Sequence, residues 1–407
     1  MAGRKAKLRI AYIILLFSFI GNSTAGQDER VQIPGALNKS YFEVNIGSIF
    51  YNFNTASLEA GYKMLSVRVP HTAVRIIPAG FEFNKYLSAQ IFYMRPVLWV
   101  RYRYENGTDG SALTRSVWMN IAGVTVKPQL PIGKKVSLYG EGGLAIVTRK
   151  GFVDDEVNPV IRNANYSDLT LGGGLKYHLS DRWAFMFSAI WTPENKSAKQ
   201  PAISFISAGF ANKLVPFNGE KVKASLSSGC IFPKQMIQIG FTNNALGYGV
   251  NNFIAEGTVP LFWAGEAEIS RGLSINYERN IFHGTKVFSL DWGVQASVWQ
   301  SNEKREKFYT IAIYPVIKLT FLRTRLLDYY FYYSIAGPAY ISKTEIDGKE
   351  LGRHFTFQDN MGTGMFFGQK RTYNAEIRIG HYSNGDLFPM NEGVKIPLTF
   401  TVGYTFN

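Results

Sequence analysis

Long stretches of this chain alternate apolar and polar residues with a period of two, and this pattern limits the possible folds more than any other feature. In Phe288-Leu290-Trp292-Val294-Ala296-Val298 one face is apolar, while Ser289, Asp291, Gly293, Gln295 and Ser297 form the other. Tyr309, Ile311, Ile313, Pro315, Ile317, Leu319 and Phe321 make another continuous apolar face, opposite Thr310, Ala312, Lys318 and Thr320. Leu169, Leu171, Leu175 and Leu179 face away from Thr170, Lys176 and His178, and Trp183, Phe185, Phe187 and Trp191 repeat the pattern in the next segment. Successive side chains of a strand point to opposite faces, so these segments read as strands with one apolar and one wet side. They exceed the usual soluble strand and match the roughly 9–11 residues that cross a bilayer. Beyond the N-terminus no run of about 18 apolar residues exists to form a membrane helix. Yet 46% of the chain is hydrophobic and 15% aromatic. A closed β-barrel is the other structure that satisfies every backbone polar group in hydrocarbon. A secreted β-sandwich is the competing fold, and it requires a common interior and shorter strands.

The expected fold is therefore all-β, a transmembrane antiparallel β-barrel. Strands are expected near 41–54, 72–84, 87–105, 115–130, 136–152, 167–179, 183–195 and 202–213, then near 235–250, 262–281, 286–300, 307–323, 328–343, 354–368, 372–384 and 396–407. Two sets of eight fit two tandem small barrels or one sixteen-stranded barrel. A polar, irregular stretch over 215–233, with Asn218-Gly219 and Ser227-Ser228-Gly229, favours two. The expected organisation is a signal peptide at 1–25, a first barrel at 26–214, a linker at 215–233 and a second barrel at 234–407.

Both ends of the chain point to the bacterial outer membrane. Arg4, Lys5, Lys7 and Arg9 precede a short apolar run, Ile10 to Ile20, and Ser23-Thr24-Ala25 offers small residues for cleavage. This order reads as a secretory signal. The last residues, Leu398 to Asn407, alternate and carry Phe406 next to the terminus, like the strand by which barrel-assembly machinery recognises its clients. The formal net charge of +14 includes four charges in that N-terminal segment. An exported protein rarely meets nucleic acid, so the remaining excess points to anionic lipid, with lipid A phosphates as the expected partner. Cys230 is the only cysteine, which excludes an intrachain disulfide and a cysteine metal site. His71, His178, His283 and His354 show no metal-ligand spacing, and no phosphate loop or dinucleotide motif occurs, so no cofactor is expected. Tyr329 to Tyr333 reads as an aromatic belt.

One strand breaks its apolar face. From Thr372 to Gly385 the odd positions Tyr373, Ala375, Ile377 and Ile379 are apolar and face lipid, and His381 and Ser383 follow on that same face. Polar groups facing lipid are costly. Residues i and i+2 of a strand lie side by side, so His381 can act as general base for Ser383, and an adjacent base is what makes serine nucleophilic. Asn384 or nearby backbone N–H groups can stabilise an acyl-transfer oxyanion. The alternative is an interfacial polar pair without chemistry.

His381-Tyr382-Ser383-Asn384, with Pro389, Asn391, Gly393 and the closing Gly403-Tyr404-Thr405-Phe406, resembles the lipid A 3-O-deacylase (PagL-type) family. Phe355-Thr356-Phe357-Gln358-Asp359, with Gly362 and Gly364, is similar to the preceding strand of that family. The resemblance is specific over about 354–407 and diffuse back to about 235, while the first half looks like a generic OmpA-type barrel. It implies an eight-stranded barrel that removes an ester-linked acyl chain from lipid A, with Ser383 as nucleophile, His381 as base and Asn384 at the oxyanion. The acid of the family is expected fourteen residues past the histidine, where this chain has Lys395, whose ammonium repels an imidazolium. Glu392 and Asp386 are the nearby substitutes, Glu392 sharing the parity of Leu398, Phe400 and Val402 unless Pro397 breaks the register. Three functions follow: a lipid A ester hydrolase, a non-catalytic barrel that has lost its acid, and a passive pore that needs one wide barrel.

Overall fold

The computed structural model describes residues 29–105, 110–154, 158–254, 265–385, 387–388 and 390–406. The expected signal peptide at 1–25 and the terminal Asn407 lie outside the described residues, as do Asp386 and Pro389. Among the described residues no helix is long and apolar enough to cross a membrane.

Numbering only the strands that build the walls, the first barrel comprises β1 (Ser40–Tyr51), β2 (Thr72–Asn84), β3 (Leu87–Pro96), β4 (Ala112–Ile132), β5 (Val136–Lys150), β6 (Ala164–His178), β7 (Trp183–Thr192) and β8 (Ile203–Lys213). Each pairs antiparallel with its neighbour in sequence, and β8 closes on β1 from Tyr41↔Lys213 to Tyr51↔Ile203. The second comprises β9 (Gln235–Asn243), β10 (Ala267–His283), β11 (Phe288–Ser301), β12 (Lys307–Arg323), β13 (Leu327–Ile341), β14 (Phe355–Phe367), β15 (Tyr373–Ser383) and β16 (Val394–Phe406). It closes through β9 and β16, from Gln235↔Phe406 to Thr242↔Thr399. Two separate closures exclude the sixteen-stranded alternative and remove the wide barrel that a passive pore requires.

The period of two becomes an inside and an outside. Leu273, Ile275, Ile311 and Ile313 are exposed on the outer wall, while Ser274, Asn276, Thr310 and Gln295 are buried within. The lumens also hold charges, which are tolerable in a closed interior only when paired. Lys318 Nζ lies 2.6 Å from Asp291 Oδ2 and also pairs with Glu278. In the first barrel Arg75 pairs with Glu141, and Lys127 reaches Glu43 at 3.3 Å. The expected belt at Tyr329–Tyr333 is split by the same alternation. Phe331 is exposed, but Tyr330 and Tyr332 are buried inside, where Tyr330 donates to Glu376.

Short turns at 85–86, 133–135, 179–182, 284–287, 324–326 and 368–372 lie at the end where both barrels start and finish. Apart from the five residues 302–306, the connections at the other end are longer, and that end is the extracellular one by the usual asymmetry of these barrels. The segment expected to be irregular contains a two-turn helix, Gly219–Leu226, because Asn218 accepts at 3.0 Å from Lys221 N and caps its first turn.

Candidate active site

β15 carries Asn374, Glu376 and Arg378 into the lumen and Tyr373 and Ile377 outward, so the odd face is the outer one, as expected. His381 and Ser383 continue that face at the extracellular end. The hairpin turn at 368–372 sets the register between β14 and β15 and places Asp359 directly opposite His381. On the other side His381 faces Lys395 of β16, and beyond the end of β9 Lys395 pairs with Glu268 of β10. Four strands thus align Asp359, His381, Lys395 and Glu268 in one row.

Two bulges adjust this row. Between Ser334 and Gly337 the β13 strand gains a residue against β14, and the displaced Ala336, at φ 44°, donates its N–H to Asp359 Oδ1 at 2.6 Å. The other carboxylate oxygen, Oδ2, lies 3.7 Å from His381 Nδ1. Bulges re-aim groups in this way at working sites. The second bulge lies between Ile396 and Thr399, at Pro397, which has no N–H for the ladder. It shifts the parity of β16, so Val394 and Ile396 turn inward and Lys395 outward.

That shift removes the parity argument for Glu392. Its carboxylate instead accepts the N–H of Glu350, and its own N–H donates to Glu350 O at 3.0 Å. Glu392 ties the loop to the small hairpin Glu345–Glu350, and the carboxylate beside His381 is Asp359. The other substitute, Asp386, lies outside the described residues. Lys395 is itself engaged. Its Nζ is 3.1 Å from Glu268 Oε1, 3.5 Å from Asn252 Oδ1 and 5.3 Å from the centre of the Tyr248 ring. Glu268 and this ring draw the ammonium to the side of the site away from Asp359.

Ser383 is cradled by its own loop. Its Oγ lies 3.1 Å from Asn391 Oδ1 and 2.9 Å from Asn391 Nδ2, and it accepts from Gly385 N at 3.1 Å. Gly385 adopts φ +66°, which lets its N–H turn back toward the serine. Asn391 Oδ1 also accepts from Asn384 N at 2.8 Å. The Asn384 side chain points inward, and its amide donates to Leu351 O at 3.1 Å and Met390 O at 2.7 Å. Asn384 therefore braces the loop, and the side-chain amide at the serine is that of Asn391.

His381 is only 3% exposed. Just below it, Ile254 packs with Ile379 against Tyr333, Met361 and Leu398, at the end of the short helix Gly249–Phe253. Asn251 fastens that helix to the wall through Ile396 O at 3.0 Å. The sequence reading missed Asp359 and Asn391 as the neighbours of His381 and Ser383, although both stand in its motif. Counting outward from the 368–372 turn was the available signal for Asp359.

Residues 271–405 match the family described as lipid A 3-O-deacylase (PagL), and residues 13–210 match the outer membrane protein β-barrel domain. No curated protein matches the chain. Among solved structures, the outer membrane enzyme PagL is 13% identical, with 42% of this chain and 99% of that one covered and a TM-score of 0.30. Neisserial surface protein A is 12% identical over 44% of this chain and 98% of that one, with a TM-score of 0.29. The N-terminal barrel domain of Pseudomonas aeruginosa OprF is 15% identical over 43% and 98%, with a TM-score of 0.26. The chain is thus a bacterial outer-membrane protein of two β-barrels, the first similar to the outer membrane protein β-barrel domain and the second to the lipid A 3-O-deacylase family.

Proposed function

We propose that the second barrel is an ester hydrolase that removes an ester-linked acyl chain from lipid A in the outer leaflet. The observation that carries this reading is the Asp359–His381 pair beside Ser383, on the lipid-facing side of the extracellular end. With Nδ1 held toward Asp359, the imidazole keeps Nε2 for the serine. Ser383 Oγ attacks the ester carbonyl carbon while His381 takes its proton. The carbonyl oxygen becomes an oxyanion, for which the Asn391 amide and Gly385 N–H are the donors already at the serine. Collapse expels the sugar hydroxyl, protonated by His381. Water, deprotonated by the same base, then frees the fatty acid.

Lipid A, the membrane and, during insertion, the barrel-assembly machinery are the partners of this reading. A second reading, a barrel that binds without cleaving, draws on Lys395 facing His381 and on the burial of His381. Mass spectrometry of lipid A from cells with and without the protein separates the two. Loss of one acyl chain, abolished by Ser383→Ala and by His381→Ala while the barrel still inserts, is the expected result. Unchanged acylation at high expression would sink the hydrolase.

A further inference from the structure

The first barrel carries an extension that the hydrolase reading leaves unused. Short strands Lys63–Arg68 and Val100–Glu105 pair with each other, and the second pairs with Ala112–Val117 at the start of β4. They form a three-stranded sheet at the extracellular rim. Its inner face is closed by Tyr102, Tyr104 and Val117, all buried. Its outer face carries Arg101 and Arg103, with Ser116 and Thr114 opposite them on β4. On the other side Arg101 faces Arg68 directly, and Arg103 faces Ser66. All three arginines are exposed.

Among the described residues this face is short of negative charge. Glu105, the next residue of the same parity, is occupied by Lys63 at 3.0 Å. Among the described residues no carboxylate lies within ion-pair distance of Arg68, Arg101 or Arg103. Like charges directly opposite on neighbouring strands destabilise a sheet, so the Arg68↔Arg101 pair needs an external anion to offset it.

Position identifies the anion. Trp99 and Trp118, stacked at 5.0 Å, lie on the same outward face just below the arginines. Arg95 sits 4.3 Å over Trp99, and Lys150 lies 5.9 Å over Trp118. Tryptophans at such a place mark the membrane–water interface. Arg101 and Arg103 follow Trp99 by two and four residues, roughly 7 and 13 Å further out along the strand. Measured from tryptophans at the interface this is headgroup depth, and the arginines lie on the face opposite the buried Tyr102 and Tyr104. Guanidinium groups bind phosphate oxygens in bidentate fashion. We propose that Arg68, Arg101 and Arg103 form a binding surface for the phosphate groups of outer-leaflet glycolipid headgroups, independent of the site at Ser383.

Native mass spectrometry of the full-length protein in detergent, titrated with bisphosphorylated lipid A and with its dephosphorylated counterpart, tests this. The acyl chains are common to both lipids, so the difference in affinity reports the phosphates. The wild type is expected to prefer the phosphorylated form, and each arginine replaced by glutamine is expected to reduce that preference by about fivefold. Replacing the exposed cations at the opposite end of the barrel, Lys85→Gln with Lys134→Gln and Lys135→Gln, is expected to leave the preference unchanged. Heat-dependent gel mobility confirms that each barrel is closed. Arg68→Gln, Arg101→Gln and Arg103→Gln combined should abolish the preference, and should that triple variant fail to fold, Arg101→Gln alone carries the test. A folded variant that keeps the full preference overturns the proposal, and so does an equal loss in the lysine variant.

Discussion

The two barrels share strand number, topology and orientation, yet their extracellular ends are built differently. The first extends into a three-stranded sheet whose outer face carries arginines. The second stays low and gathers Asp359, His381, Lys395 and Glu268 in a row across four strands. Two walls of one design thus carry different ends, in line with the general separation of fold from site. What distinguishes the second barrel is local. One bulge turns the Ala336 N–H onto Asp359, and another, at Pro397, turns Lys395 outward and Ile396 inward.

The strongest way to break this contrast is at the acid. Asp359→Asn keeps the shape but loses the charge that orients His381, and lipid A deacylation is expected to fall by about 10³- to 10⁴-fold. Glu392→Gln, remote from the imidazole, should cost far less, and a reversal of that order in lipid A mass spectrometry would return the acid role to Glu392. The lumens offer a test of likeness. Lys318→Met leaves Glu278 and Asp291 buried without their cation, and Arg75→Met does the same to Glu141. Each is expected to destabilise its own barrel by about 3–5 kcal/mol. Urea unfolding from lipid vesicles should show one transition moved by each change; a single transition moved equally by both would mean that the barrels do not unfold separately.

Smaller effects sharpen the row. Lys395→Glu is expected to raise deacylation less than about threefold, because Asp359 already supplies the carboxylate. In the Asp359→Asn background the same change should restore about tenfold or more, since the two act on one imidazole from opposite sides. Additive behaviour in initial rates would contradict this. The smallest effect concerns the rim. Burial works against the charged form of Asp347, but the Ser301 hydroxyl, the Glu303 and Lys304 N–H groups and the Lys304 charge together lower its pKa below the ordinary carboxyl value. A lowered carboxyl pKa means that the stabilisation is complete at neutral pH and fades as pH falls through the folded-state value. Protection factors for exchange at Glu303 and Lys304 should hold as pH falls through the ordinary carboxyl range and drop only below it. Loss of protection at higher pH would show that this brace is weaker than its geometry implies.

Most of the wall was legible in the sequence, because side-chain alternation follows from the extended backbone of each strand alone. The sixteen segments and the outward parity of His381 and Ser383 rest on that local rule. Glu392 was misplaced because a single proline at 397 inserts a residue into the ladder and inverts every parity count beyond it. Asn384 and Asn391 look alike as amides in a loop, and only the folded loop decides that one braces carbonyls while the other reaches Ser383. Asp359 lies twenty-two residues from His381, and the arginines of the rim come from strands far apart in sequence. By itself, then, the sequence determined the strands and their membrane-facing sides. Which strands close on which, and which side chains meet across them, was decided by the tertiary structure, because pairing register is set by turns, bulges and closure acting between distant segments.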